Sequence, residues 1–257
     1  MSPAGKSRDS RLASRSVQAA FVVVLVVLWY LATTRWGVSS ILLPNPVLVV
    51  QQLWDILKSG EFIGDLRVTL TELGIAFAIS STSGIIVGYL ISRSHYRIRV
   101  FEPLFAGIYS VPIILFLPLY VLFFGLGPAS KIALGATISF FPIVLNTIAG
   151  FGYVDRVLVT AARSMGASDV QLFRYVLLPA ALPIILSGMR MGFTVALLSI
   201  IGSETIASLA GLGHRIVHLA EGMEMPRMFA YIAFVVAIAL ILNTIVSALE
   251  ARGRRHT

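Results

Sequence analysis

The sequence predicts an all-α integral membrane protein of about six transmembrane helices, and three observations predict it. First, 57% of the 257 residues are hydrophobic and only 12% are charged, with a mean hydropathy of +0.89; an ordinary soluble domain carries about 25% charged residues. Second, the apolar residues fall in runs long enough for the roughly twenty residues that a helix needs to cross the hydrocarbon core. Third, basic residues concentrate in segments that an even number of crossings places on one side. The net charge of +8 is therefore assigned to cytoplasmic loops, with no nucleic-acid partner. The chain has no cysteine, which excludes a disulfide framework, a thiolate metal site and a catalytic cysteine.

The expected spans are Val17–Trp36, Thr69–Ile91, Val100–Phe124, Ile132–Phe151, Pro183–Ala207 and Met228–Leu249. All are read as helices, because an open sheet leaves backbone polar groups unsatisfied in lipid. Residues 1–16 form a basic cytoplasmic tail ahead of a transmembrane domain covering 17–257. The first span has a basic start and an apolar core but no A-x-A-like cleavage site, so it is expected to stay as an uncleaved helix. Lys6, Arg8, Arg11 and Arg15, then Arg93, Arg97 and Arg99, then Arg252, Arg254 and Arg255 fall on one side. Positive-inside asymmetry makes that side, and both termini, cytoplasmic. On the other side Arg35, Lys58, Arg67, Lys131, Arg215 and Arg227 are offset by Asp55, Glu61, Asp65, Glu221 and Glu224.

The cytoplasmic stretch from 155 to 182 is unlike the spans around it. Asp155 is placed to cap a short helix running to Met165, and Gly166 sits where a left-handed residue ends one. Ser168 and Gln171 have the spacing of a capping box. The second helix is expected to end or kink at Leu178-Pro179. Ala161 and Ala162 offer a small-residue surface to another protein. An amphipathic element on the inner leaflet, with Arg156, Arg163 and Arg174 at the headgroups, accounts for the same pattern, and the residues leave the two open.

This stretch resembles the E-A-A-x3-G-x9-I-x-L-P motif of ABC importer permease subunits. Thr160-Ala161-Ala162 stands at its first three positions, Gly166 at its glycine, Val176 at the isoleucine and Leu178-Pro179 at its end. Thr160 replaces the usual glutamate. Leu42–Phe62, Val111–Lys131, Phe140–Phe151 and Ser203–Ile216 are similar to segments of the nitrate/sulfonate/taurine branch of these permeases. The resemblance implies a type I importer permease fold and residence in a bacterial inner membrane. It implies that Thr160, Ala161, Ala162, Gly166, Ser168, Asp169, Leu178 and Pro179 form a coupling segment docked on a cytoplasmic ATPase. It further implies two ATPase subunits holding ATP and magnesium, a second permease copy or close relative, and an extracytoplasmic binding protein that delivers a small solute.

The chain itself shows no catalytic set, cofactor site or metal site. Ala4-Gly5-Lys6-Ser7 ends like a phosphate loop, but no apolar strand precedes it, and the G-x-x-x-x-G-K-[ST] pattern is not completed. His214, His218 and Glu221 share a helical face in spacing only. Ionisable groups within spans are functional candidates. Glu72 and Glu102 are expected to reach the headgroups, and Arg190 lies toward the inner end of the fifth span. Glu204 either lines a solute path or caps a neighbouring helix. Ser110, Phe116, Phe141, Asn146, Ser199, Ser203 and Glu204 are the candidates for lining the path, shaped by kinks at Pro112, Pro118 and Pro142. Gly84-x-x-x-Gly88 and Gly188-x-x-x-Gly192 are spaced for close helix packing. The rival expectation is an ATP-independent secondary transporter or channel with Glu204 as a proton or cation site.

Overall fold

A computed structural model describes residues 3–253, with side chains from Val17 onward apart from 19, 249, 252 and 253. The side chains of Lys6, Arg8, Arg11, Arg15 and Arg252, and all of Arg254 and Arg255, lie outside the described residues. The described residues are helical, without strands. Helix α1 is Pro3–Thr34 and α2 is Pro46–Ser59. Asn45 caps α2 by accepting from the Val47 N–H at 2.9 Å, and Pro46 takes the first-turn position where a missing N–H costs nothing. In the same unit, the Trp29 indole donates to the Pro44 carbonyl at 3.0 Å.

Among the described residues, four helices are long and apolar enough to cross a membrane: Phe62–Ser92 (α3), Pro128–Gly152 (α6), the run Asp169–Ile206, and Met225–Ala248 within α11, Met225–Gly253. The first expected span appears as a shorter apolar helix, Ala20–Thr34, at the end of α1.

The third expected span, Val100–Phe124, is not one helix. It breaks into α4, His95–Tyr109, and a pair of turns, Ile113–Phe116 followed by α5, Leu117–Phe124, set at 71° to α4. Pro112 supplies no N–H and disfavours helical backbone at Val111. The Ser110 N–H and hydroxyl turn back onto Ala106 instead. Pro142, by contrast, does not interrupt α6, which stays helical on both sides of it.

Helix α6 is the centre of the larger compact unit, with α3 on one side and α9, Leu178–Ile206, on another. Both glycine pairs are where those neighbours touch it. A Cβ on Gly84 would meet the Ile143 side chain and one on Gly88 the Thr147 side chain, while on α9 Gly188 lies against Pro142 and Asn146 and Gly192 against Ile143. Small residues let the backbones approach where lipid provides no hydrophobic drive. Leu73 and Ala76 of α3, Ala136 of α6, and Ala196, Leu197 and Ile200 of α9 form one cluster of this core.

Candidate functional site

The segment 155–182 folds as helix, glycine turn, helix. Helix α7, Arg156–Ser164, starts at Asp155, whose carboxylate accepts from the Val157 N–H at 2.8 Å. The chain reverses at Gly166, whose φ of +81° is the left-handed region that costs an L-residue about 1–2 kcal/mol. Ser168 then opens α8, Asp169–Leu172, with both bonds of the capping box: Gln171 N–H to Ser168 Oγ at 3.3 Å and Ser168 N–H to Gln171 Oε1 at 2.9 Å. Arg163 and Asp169 pair across the turn at 2.6 Å. Both are exposed, so the pair is worth well under about 1 kcal/mol and serves to fix the turn's shape.

Leu178-Pro179 does not end the second helix. A single π turn, Phe173–Leu177, absorbs the missing proline N–H: the Leu178 N–H reaches back to the Phe173 carbonyl. The chain therefore runs without a break from Asp169 to Ile206, 38 residues. A π turn at such a place is a known way to carry a helix past a local mismatch. The sequence pattern flags the proline but gives no sign of the extra residue in the turn.

Thr160, Ala161, Gly166, Ser168 and Asp169 are exposed, Leu178 and Pro179 are half-buried, and Ala162 faces inward at 5% exposure. Around them Val157, Leu158, Met165, Val170 and Tyr175 are 50–81% exposed. Leu158, Ala161, Met165, Tyr175 and Pro179 are among the residues that line a groove of about 400 Å³. Exposed apolar surface of this kind around a polar turn suits contact with another protein or with a membrane surface.

The pathway candidates do not converge. Phe141 is buried among Phe105, Tyr109 and Phe140, with ring centres 5.5–6.2 Å apart. Asn146 donates to the Pro142 carbonyl at 2.8 Å and packs against Gly188. Ser199 is buried with its hydroxyl unpartnered, and Ser203 donates to the Ile200 carbonyl. Ser110 and Phe116 stand exposed at the α4–α5 bend.

Glu204 is 1% exposed and caps α10, Leu212–Glu221. Its Oε1 accepts from the Thr69 hydroxyl and its Oε2 from the Gly213 N–H, both at 2.7 Å. Thr69 Oγ1 accepts in turn from the Leu212 N–H at 3.0 Å. Two orphan donors of the α10 N-terminus are thus satisfied by acceptors placed at the positive end of its dipole. Gly211, at φ +108°, leaves room for the carboxylate that any Cβ would displace.

Glu72 does not reach the headgroups. It is 1% exposed, close to Glu204 and Lys131, and its Oε2 is buried without a hydrogen-bond partner. Lys131, expected in an outer loop, is fully enclosed, its ammonium donating to the Leu126 and Gly127 carbonyls. The available signal was the placement of Thr69, Glu72 and Ala76 on one face of α3. Glu102, on α4, accepts from the Tyr153 hydroxyl at 3.2 Å.

The family model of binding-protein-dependent transport system inner membrane components matches residues 80–255. The taurine transport system permease protein TauC of Escherichia coli (strain K12) is 32% identical over 236 residues, covering 90% of this chain and 86% of TauC. The riboflavin transport system permease protein RibX of Chloroflexus aurantiacus is 31% identical, covering 89% of this chain and 85% of RibX. A crystal structure of an amino acid ABC transporter with histidines superposes with a TM-score of 0.63 at 23% identity, covering 80% of this chain and 98% of that one.

Proposed function

The chain belongs to the family of binding-protein-dependent transport system inner membrane components, and from that membership we propose how it works as the permease subunit of an ATP-driven importer. It is a multi-pass membrane protein and not itself the catalyst of ATP hydrolysis. In the proposed cycle a separate ATPase subunit, holding ATP and magnesium, docks on residues 155–182. A second copy of this chain completes the path, each copy taking one ATPase, and a binding protein delivers solute from outside. Both termini, with the 1–16 tail, face the cytoplasm.

One observation carries the mechanism. The exposed α8 is continuous with α9, so a displacement of the docked segment moves the inner end of a membrane-spanning helix as one rod. Closure of the ATPase pair pulls α7 and α8; α9 carries the movement into the membrane, where it can bear on α6 through Gly188 and Gly192. Thr160, Ala161, Gly166, Ser168 and Asp169 present the docking face, Ala162 packs beneath it, and Leu178 and Pro179 join it to α9. The motif glutamate's place is taken by neutral Thr160, so the docking relies on shape, the Arg163–Asp169 pair and the apolar rim. Of the proposed lining residues, Ser110 and Phe116 face outward at the bend. Phe141, Asn146, Ser199, Ser203 and Glu204 meet a solute only if α6 and α9 part.

The solute class we propose is a compact sulfonate of the taurine kind, supported by the similarity to TauC over 90% of the chain. The chain, its cognate ATPase and its binding protein, reconstituted in proteoliposomes, are expected to accumulate labelled taurine only when ATP is enclosed with the ATPase. Accumulation of riboflavin without taurine would move the solute class to neutral aromatics.

A further inference from the structure

On α9 the face turned away from α6 is polar where hydrocarbon should cover it. Arg190 lies two residues from both Gly188 and Gly192, the residues that touch α6, so it points about 160° round the helix from that contact. It stands seven residues inside Pro183, roughly 10 Å along the helix from the expected inner boundary of the span. Its side chain is 47% exposed. Ser187, Arg190, Met191, Thr194, Val195 and Glu250 line a cleft of about 420 Å³ there, within the range of small-molecule sites.

The base of the cleft is built. Glu250, 8% exposed, accepts from the Ser187 hydroxyl at 3.1 Å and from Arg190 Nη1 at 3.3 Å. A guanidinium carries five donors in a planar fork, and with its side chain half exposed part of that fork opens on the cleft. Thr194 continues the cleft toward Asn243, whose Oδ1 is buried with no hydrogen-bond partner. A half-exposed arginine and an orphaned amide oxygen at this depth are costly against lipid and suit a wet, polar passage.

We propose that the Ser187–Arg190–Thr194 face of α9 lines the solute path and that Arg190 is its anion-recognising group, taking a sulfonate or carboxylate on the way through. The proposal rests on the importer reading above and names the chemistry its path selects. Glu250 offsets the arginine's charge, so an anion is held weakly enough to leave, as passage requires. Glu204, sealed into the α10 cap, presents no opposing carboxylate to that path.

The absence of cysteine from the chain makes the test direct. Thr194→Cys, in the complete transporter in inside-out membrane vesicles, is treated with the negatively charged sulfonatoethyl methanethiosulfonate and with its trimethylammonium counterpart. Each rate is divided by the same reagent's rate on a free thiol. The expected result is reaction with both, faster with the anion, and a fall of about tenfold in the anion-to-cation ratio when Arg190→Gln is added, from one charge a few ångströms away in wet surroundings. Arg190→Lys, which keeps the charge, restores most of the ratio. A thiol introduced at position 194 that fails to react with Arg190 intact overturns the proposal whatever the double variant does. So does a ratio that Arg190→Gln leaves unchanged. The labelling needs no solute, so loss of taurine uptake in the reconstituted native transporter removes the taurine assignment and leaves this result standing.

Discussion

Gly166→Trp will release the ATPase. In detergent extracts of the host membrane, the variant chain is expected to purify with less than about a tenth of the ATPase that accompanies the native chain. Its helical content, read by circular dichroism, should stay the same. Two effects add at this position. The φ of +81° costs any side chain about 1–2 kcal/mol, and no atom lies within 4 Å of the position a Cβ would take, so the indole projects into open space on the proposed docking face. The strain alone is a modest fraction of a docking energy, since each 1.4 kcal/mol is tenfold in affinity; the bulk does the rest. Gly166→Ala carries the strain without the bulk and is expected to retain most of the ATPase. Equal loss in the two variants would assign the effect to the turn's shape rather than to the docking face.

Glu204→Ala is expected to be the most damaging single change to stability, by about 3–5 kcal/mol, the cost of removing one partner from a buried charged network. It orphans the Gly213 N–H, leaves the Thr69 hydroxyl only the Asp65 carbonyl to donate to, and takes the second carboxylate away from Lys131 and Glu72. Thermal unfolding followed by fluorescence-detected size exclusion reads the loss. Glu204→Gln keeps an acceptor for the α10 cap and is expected to lose less than half as much. If instead Glu204→Ala is as stable as the native protein and alters only solute selectivity, Glu204 faces the path and the capping account fails. The ATP-independent alternative drew its support from Glu204 as a proton or cation site, and the cap removes that support.

The sequence made the helical class legible because apolar run length and backbone satisfaction in lipid leave so few choices. The same holds for the segment 155–182: Asp155, Gly166, Ser168 and Gln171 act through bonds within a few residues, so the pattern alone carried both caps and the turn. What stayed hidden depends on partners distant in the chain. Glu204 meets Thr69 across 135 residues, and nothing local distinguishes a capping carboxylate from a path-lining one. Lys131 reads as a loop residue until α6 is seen to begin at Pro128 and bury it. The α4–α5 bend was half legible. Pro112 promised a kink, but not a bend of 71° with a short 3-10 turn, Ile113–Phe116, at its far side. Arg190 was visible as a charge in a span, yet its significance needed the knowledge that Gly188 and Gly192 already commit the opposite face to α6.

The most direct measurement of the central claim is the ATPase activity of the native chain purified from its host membrane. The account predicts that a nucleotide-binding subunit accompanies it in equal copies and that the eluate hydrolyses ATP, with activity rising when the loaded binding protein is added. A native chain that purifies alone, stays folded, and moves solute into liposomes without ATP would contradict it.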